Sequence, residues 1–101
     1  MSDLFAKAIV RHSEEVSSVM KSLSYAARLK ILCALIEGEK TVGELIEISG
    51  LSQSSTSQLL GRMKAEAVLE SRREGTRVYY FLTDKKLIKL LRAIKDIYCA
   101  G

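Results

Sequence analysis

The spacing of apolar residues changes several times along the chain, and each change marks an element. From Asp3 to Met20, Phe5, Ile9, Val16 and Val19 keep to steps of three and four with His12 between them, which predicts one amphipathic helix. A second stripe, Tyr25, Leu29, Leu32, Cys33 and Ile36, predicts a helix that Ser24 can cap and that ends near Gly38. Thr41 followed three residues later by Glu44 has the form of a capping box, so a short third helix is expected over about Val42 to Ser49. Gly50 can take the left-handed conformation that stops it, and Ser52 can cap the next helix from Gln53. Helix, short glycine-containing turn and helix together make a helix-turn-helix.

After Ala67 the pattern changes to β-branched, aromatic and charged residues. "VLESRRE" and "RVYYFLT" flank Gly75-Thr76 and predict a β-hairpin. Leu87, Leu90, Leu91, Ile94, Ile97 and Tyr98 then form the stripe of a last helix that starts near Asp84. There is no proline, repeat or linker, so residues 1–101 read as one domain, mainly α with a β-hairpin, in the order α-α-α-α-β-β-α.

The helix from Gln53 carries the chemistry. At about 100° per residue, Thr56, Leu59, Leu60, Met63 and Ala67 share one side, the expected core side. The opposite side collects Ser54, Ser57, Gln58, Gly61 and Ala65, with Gln53 and Arg62 at its margins and no acidic residue. A merely solvated face would carry the stronger helix formers Glu and Lys. Short polar side chains instead permit close approach, glutamine pairs with adenine edges in the major groove, and arginine pairs with guanine or phosphate. Lys64 extends this set, and the hairpin adds Arg72, Arg73, Thr76 and Arg77 within reach of phosphates or a minor groove.

Composition adjusts this picture only slightly. A net charge of +4 on 101 residues, 48% of them apolar, fits a small nucleic-acid-binding domain with a modest core and equally fits many other proteins. The longest apolar run, Ile31 to Ile36, is too short to span a bilayer, and "MSDLFAK" lacks the order of a signal peptide, so a cytoplasmic protein is expected. In that reducing compartment Cys33 and Cys99 are free thiols, and a disulfide between them would be transient.

The run "RLKILCALIEGEKTVGELIEISGLSQSSTSQLLGRMKAEAVLESRREGTRVYYFL" resembles the ArsR/SmtB family of winged-helix repressors, in detail over Ser22 to about Leu82. The resemblance implies a winged helix-turn-helix that dimerises through its first and last helices and binds a palindromic double-stranded operator. The Gln53 helix would be the reader and the Arg72 to Arg77 hairpin the wing. Two positions depart from the family pattern: Tyr25-Ala26 replaces a common His-Pro pair, and Leu59 replaces a histidine.

Many relatives sense metals, which need clustered thiolate or imidazole ligands. Here the paired cysteines are absent from "VGELIEI", the last helix lacks a His/Asp set, and His12 lies in an apolar stripe where a structural role is expected; no metal or cofactor is assigned. Cys33 in "ILCAL" can equally be a core residue, whereas Cys99 in "IYCAG" lies off the main stripe beside Arg92 and Lys95, cations that favour thiolate against the opposing helix C-terminus. Their placement resembles the branch that includes HlyU, BigR and SqrR, which respond to sulfane sulfur or oxidants. That resemblance implies that Cys33 and Cys99 meet and bridge within one subunit. The competing readings are a metal-responsive or inducer-independent regulator with structural cysteines, and a winged helix used as a protein-interaction module. An enzyme is not expected, because the sole histidine has no orienting carboxylate for a nucleophilic triad.

Overall fold

The computed structural model describes residues 3–99. They form α1 (Asp3–Arg11), α2 (Ser13–Leu23), α3 (Ala26–Ile36), β1 (Lys40–Thr41), α4 (Val42–Ser49), α5 (Gln53–Ala65), β2 (Leu69–Glu74), β3 (Arg77–Leu82) and α6 (Lys85–Tyr98). The last two residues of "IYCAG" lie outside the described residues.

The predicted first helix is two helices. His12 has φ −107° and ψ 15°, outside the helical region, and its N–H bonds to the Ile9 carbonyl at 3.1 Å while its own carbonyl accepts from Val16 N–H at 3.0 Å. The apolar stripe continues across this joint, so periodicity carries no trace of it. Ser24 does not cap the next helix either. Its hydroxyl donates to the Lys21 carbonyl at 2.6 Å and closes α2, and α3 begins after Tyr25 without a side-chain cap.

Helix α3 is apolar over most of its circumference, so its stripe was ambiguous. It buries Ala27, Arg28, Ile31, Leu32 and Leu35, leaves Leu29 and Ile36 half-buried, and turns Tyr25 and Cys33 outward. Ile31, Leu32, Leu45, Leu60, Met63, Leu69 and Leu91, drawn from α3, α4, α5, β2 and α6, are the centre of the core.

The local signals around the helix-turn-helix hold in atomic detail. Glu44 N–H donates to Thr41 Oγ1 at 3.3 Å and Thr41 N–H donates to Glu44 Oε1 at 2.9 Å, which completes the capping box. Gly50 stops α4 at φ 74°, and Ser52 Oγ accepts from Ser55 N–H at 3.1 Å. Inside the elbow, Ser49 and Thr56 are buried with their hydroxyl oxygens 2.9 Å apart. Ser49 donates its single proton to the Ile46 carbonyl at 3.0 Å and accepts from Leu51 N–H at 3.1 Å, so the Thr56 hydroxyl donates to Ser49.

The far end of α5 departs from expectation. The helix ends at Ala65, and Ala67 is exposed at φ 62° rather than on the core side. Ala67 N–H to Lys64 O and Val68 N–H to Met63 O, both 3.0 Å, make the paired bonds of a Schellman ending, with alanine where glycine is usual. The chain then enters the hairpin in the register Leu69↔Leu82 to Glu74↔Arg77, reversing at Gly75 with φ 64°. A two-residue strand too short to show a period, β1, adds to β3 in the order β1-β3-β2. Asp84 caps α6 by accepting from Leu87 N–H at 3.1 Å, and only Leu87 and Leu91 of that helix are fully buried.

Replacing Ser49 by alanine strands the buried Thr56 hydroxyl and the Leu51 N–H together. Ser49→Ala is expected to cost about 2 kcal/mol and Thr56→Val about 1 kcal/mol, since Ser49 keeps its other two bonds in the latter. Urea midpoints at unchanged slope measure both; equal costs would show that the elbow pair is not organised around Ser49.

Candidate nucleic-acid interface and thiol pair

The caps and the Ser49–Thr56 bond hold α5 with Thr56, Leu59, Leu60 and Met63 inward. Its outward face therefore presents Gln53, Ser54, Ser57, Gln58 and Arg62, all exposed. Gly61 lies on the same face, and a Cβ built there would meet nothing within 4 Å. Glycine inside a helix costs about 1 kcal/mol against alanine, and no packing among the described residues requires it. It leaves a shallow place on the helix where another molecule can come close.

Two of the predicted contacts are occupied within the chain. Lys64 Nζ donates to Ser71 Oγ at 2.9 Å and lies 3.4 Å from Glu70, so it braces α5 against β2. Arg72 Nε donates to Glu39 at 2.6 Å, its Nη1 donates to Glu74 at 2.7 Å, and the guanidinium lies over the Tyr79 ring at 4.6 Å. Glu74 and then Glu39 hold its pKa above the ordinary arginine value. Arg72, expected among the DNA contacts, thus also clasps the wing to the α3–β1 turn. Arg73 and Arg77 are exposed and have no ion pair among the described residues, and Thr76 is exposed at the tip. Arg77 faces the start of α4 across a hollow of about 530 Å³ lined by Thr41, Val42, Glu44 and Val78. The Thr41 backbone N–H and then its hydroxyl hold the Glu44 carboxyl below the usual range, with smaller help from Lys40 and Arg77.

Composition and period gave no sign of Glu39, Glu74 and Tyr79 as partners of Arg72. Only cross-strand pairing of Arg72 with Tyr79 could have pointed there, once the hairpin register was known.

The two cysteines, distant in sequence, are both exposed free thiols. Cys33 faces outward from α3 rather than into the core, and Cys99 caps the C-terminal end of α6 with its N–H on the Lys95 carbonyl at 2.8 Å. Burial of its sulfur raises the Cys33 pKa, and the charge of Cys99 raises it further. A like charge of this kind disfavours the thiolate and so favours the protonated thiol. His12 is not a core histidine. It is exposed at the α1–α2 joint with Nδ1 3.9 Å from Glu15. Among the described residues no group of three histidine, cysteine or acidic side chains could hold a metal ion, and no helix is long and apolar enough to cross a membrane.

Comparison with known proteins agrees with this geometry. Residues 26–68 match the bacterial regulatory protein, arsR family. Over 90 residues the chain is 38% identical to the biofilm growth-associated repressor of Xylella fastidiosa (strain 9a5c), spanning 89% of this chain and 79% of that protein. The crystal structure of the transcriptional repressor BigR from Xylella fastidiosa superposes with a TM-score of 0.84 at 35% identity over 100% of both chains. The solution structure of the homodimeric winged helix-turn-helix DNA-binding domain of Mb0332 from Mycobacterium bovis gives 0.69 at 30% identity, covering 96% of this chain and 86% of that one. With a capped helix-turn-helix, a basic-tipped hairpin and relatives matched over most of their length, this chain is a winged helix-turn-helix, DNA-binding transcriptional regulator that belongs to the ArsR family.

Proposed function

We propose that this regulator binds a palindromic operator as a homodimer and lets go when sulfane sulfur or an oxidant bridges Cys33 to Cys99. The observation that carries the switch is that two exposed free thiols stand on different elements, one on α3 and one at the end of α6, with the charge of Cys99 reaching Cys33. Operator reading is assigned to Gln53, Ser54, Ser57, Gln58 and Arg62, with Arg73, Thr76 and Arg77 on the backbone or minor groove. Lys64 and Arg72 position the wing.

Dimerisation is supported by apolar surface that one chain leaves uncovered. Phe5, Ile9, Val16, Met20, Ile97 and Tyr98 are exposed on α1, α2 and α6, and a groove of about 530 Å³ floored by Val19, Leu87 and Leu90 runs between these helices. A second copy covering them would pair the two α5 helices, as successive major grooves about 34 Å apart require. The homodimeric state of the Mycobacterium bovis domain supports the same arrangement.

The thiol chemistry proceeds in two displacements. One thiolate attacks the sulfane sulfur of a donor persulfide, forming a protein persulfide and expelling the donor's thiolate. The second thiolate attacks the inner sulfur of that persulfide, forming the Cys33–Cys99 disulfide and expelling hydrosulfide; further sulfur insertion gives a longer bridge. Burial and the charge of Cys99 favour the neutral Cys33 thiol, which makes Cys33 the poorer first nucleophile and assigns it the second step. The bridge ties α3 to α6 and shifts the dimer to a spacing that no longer fits adjacent grooves. Roughly 1 to 3 kcal/mol of coupling is typical for such a switch.

Cys33→Ser and Cys99→Ser are each expected to keep DNA binding and to lose donor-induced release, with gel shift and intact mass measured on the same samples; release that persists in either variant defeats the two-thiol switch. The Cys33 alkylation midpoint is expected above that of an unfolded cysteine, because both causes favour the protonated form. In Cys99→Ser the Coulombic cause is gone and burial remains, so the midpoint drops but stays elevated, as iodoacetamide rates against pH will read. Arg77→Ala is expected to lower the salt slope of DNA binding by about one unit per contact, and Arg72→Ala by much less, because Glu39 and Glu74 already neutralise it. Equal slopes for the two variants would count against the division of the wing.

A further inference from the structure

Arg28 is the one charged residue among the buried ones described, 5% exposed on the inner face of α3. Its Nη2 donates to Glu66 Oε1, and the Glu66 side chain is 46% exposed. We infer that Arg28 and Glu66 form a positioning clasp that sets the pose of the reader helix and the root of the wing, and thereby discrimination between operator and other DNA. This rests on the assignment of α5 as reader and is independent of the thiol switch.

The two charges stand at the wrong ends of their own helices. Arg28 is in the first turn of α3, which contains no acidic residue, where the helix dipole disfavours a cation. Glu66 is the C-cap of α5, where the dipole disfavours an anion. Neither helix gains from its own residue. The guanidinium also gives up its hydration, and its buried Nε–H has no partner. With only the Arg28 end buried, the pair offsets a desolvated guanidinium rather than adding net stability, so stability is a poor account of it. What the pair does supply is a fixed distance between two helices, because unpairing it would leave a buried charge alone.

The place it fixes matters for DNA. Glu66 is the last residue before the left-handed turn at Ala67, after which Val68 begins the path into β2. Thr83 returns to the same point at the other end of the hairpin, its N–H on the Val68 carbonyl and its hydroxyl on the Ala67 carbonyl, each at 3.1 Å. Holding Glu66 against α3 therefore anchors the end of the reader and both feet of the wing. The opposite end of α5 is held by Ser49 and Thr56, so the clasp supplies the second fixed point that an orientation needs.

The test uses the full chain and an operator duplex recovered by the wild-type protein from a random-sequence pool, with a scrambled duplex of equal length beside it. Glu66→Ala removes a negative charge beside the DNA-facing surface, so electrostatics alone would tighten both complexes. The clasp predicts the opposite on the operator: affinity falls about tenfold, while the scrambled duplex is bound as well as before or better. Glu66→Gln, which keeps an acceptor for Arg28, restores most of the loss. A variant that is merely less folded weakens both duplexes by the same factor, and that result, or operator binding that is unchanged or tighter, overturns the inference. A wild-type protein that recovers no operator overturns the reader assignment and the clasp with it, a failure recognisable before any variant is made.

Discussion

A hydrogen bond between two buried hydroxyls, Ser49 and Thr56, fixes the elbow on which the DNA-facing half of this protein depends. Each hydroxyl has one proton, and the Ile46 carbonyl takes that of Ser49. Thr56 must therefore donate, and the α4–α5 angle is set by a directional bond in a place where water cannot compete. The surrounding leucines supply cohesion and broad packing constraints, to which the buried bond adds a directional one. The caps at Thr41 and Ser52 start the two helices on either side, and the left-handed Gly50 makes the turn between them short enough for the hydroxyls to meet.

With the elbow set, the chain divides its charges between holding and offering. Lys64 and Arg72 are held, by Ser71 and Glu70 in one case and by Glu39, Glu74 and the Tyr79 ring in the other. Arg62, Arg73 and Arg77 are offered to solvent beside an acid-free row of serines and glutamines. The contrast matters for affinity, because only a cation that is not already neutralised displaces counterions from a phosphate. A hairpin clasped by Arg72 also has less freedom to lose on meeting any partner.

The other half of the molecule is unfinished on its own. Helices α1, α2 and α6 expose Phe5, Ile9, Met20, Ile97 and Tyr98, and Leu4, Val10 and Val16 besides. Cys99 lies where α6 ends, just past the exposed Ile97 and Tyr98, and Cys33 is exposed on α3. In the proposed mechanism a bond between these thiols acts on the part of the protein that spaces two readers, far from the reader face itself. Allosteric coupling of this kind needs only that the bridged and open forms differ in dimer geometry.

The sequence by itself determined the features that depend on neighbours a few residues apart. The capping box at Thr41, the stop at Gly50, the cap at Ser52, the hairpin turn at Gly75-Thr76, the cap at Asp84 and the polar face of α5 are all short-range consequences of side-chain chemistry and helical period. Where several local solutions had similar energy, only the tertiary structure decided. The joint at His12 interrupts no hydrophobic pattern, α3 is too evenly apolar to choose its own inner face, and Ala67 adopts φ 62° because the chain must turn there into the hairpin. The same choice of face turned Cys33 outward and buried Arg28 against Glu66. Those partners lie far apart along the chain, and their meeting follows from how the helices pack, an outcome set by the shape of the whole core rather than by any local stretch of residues.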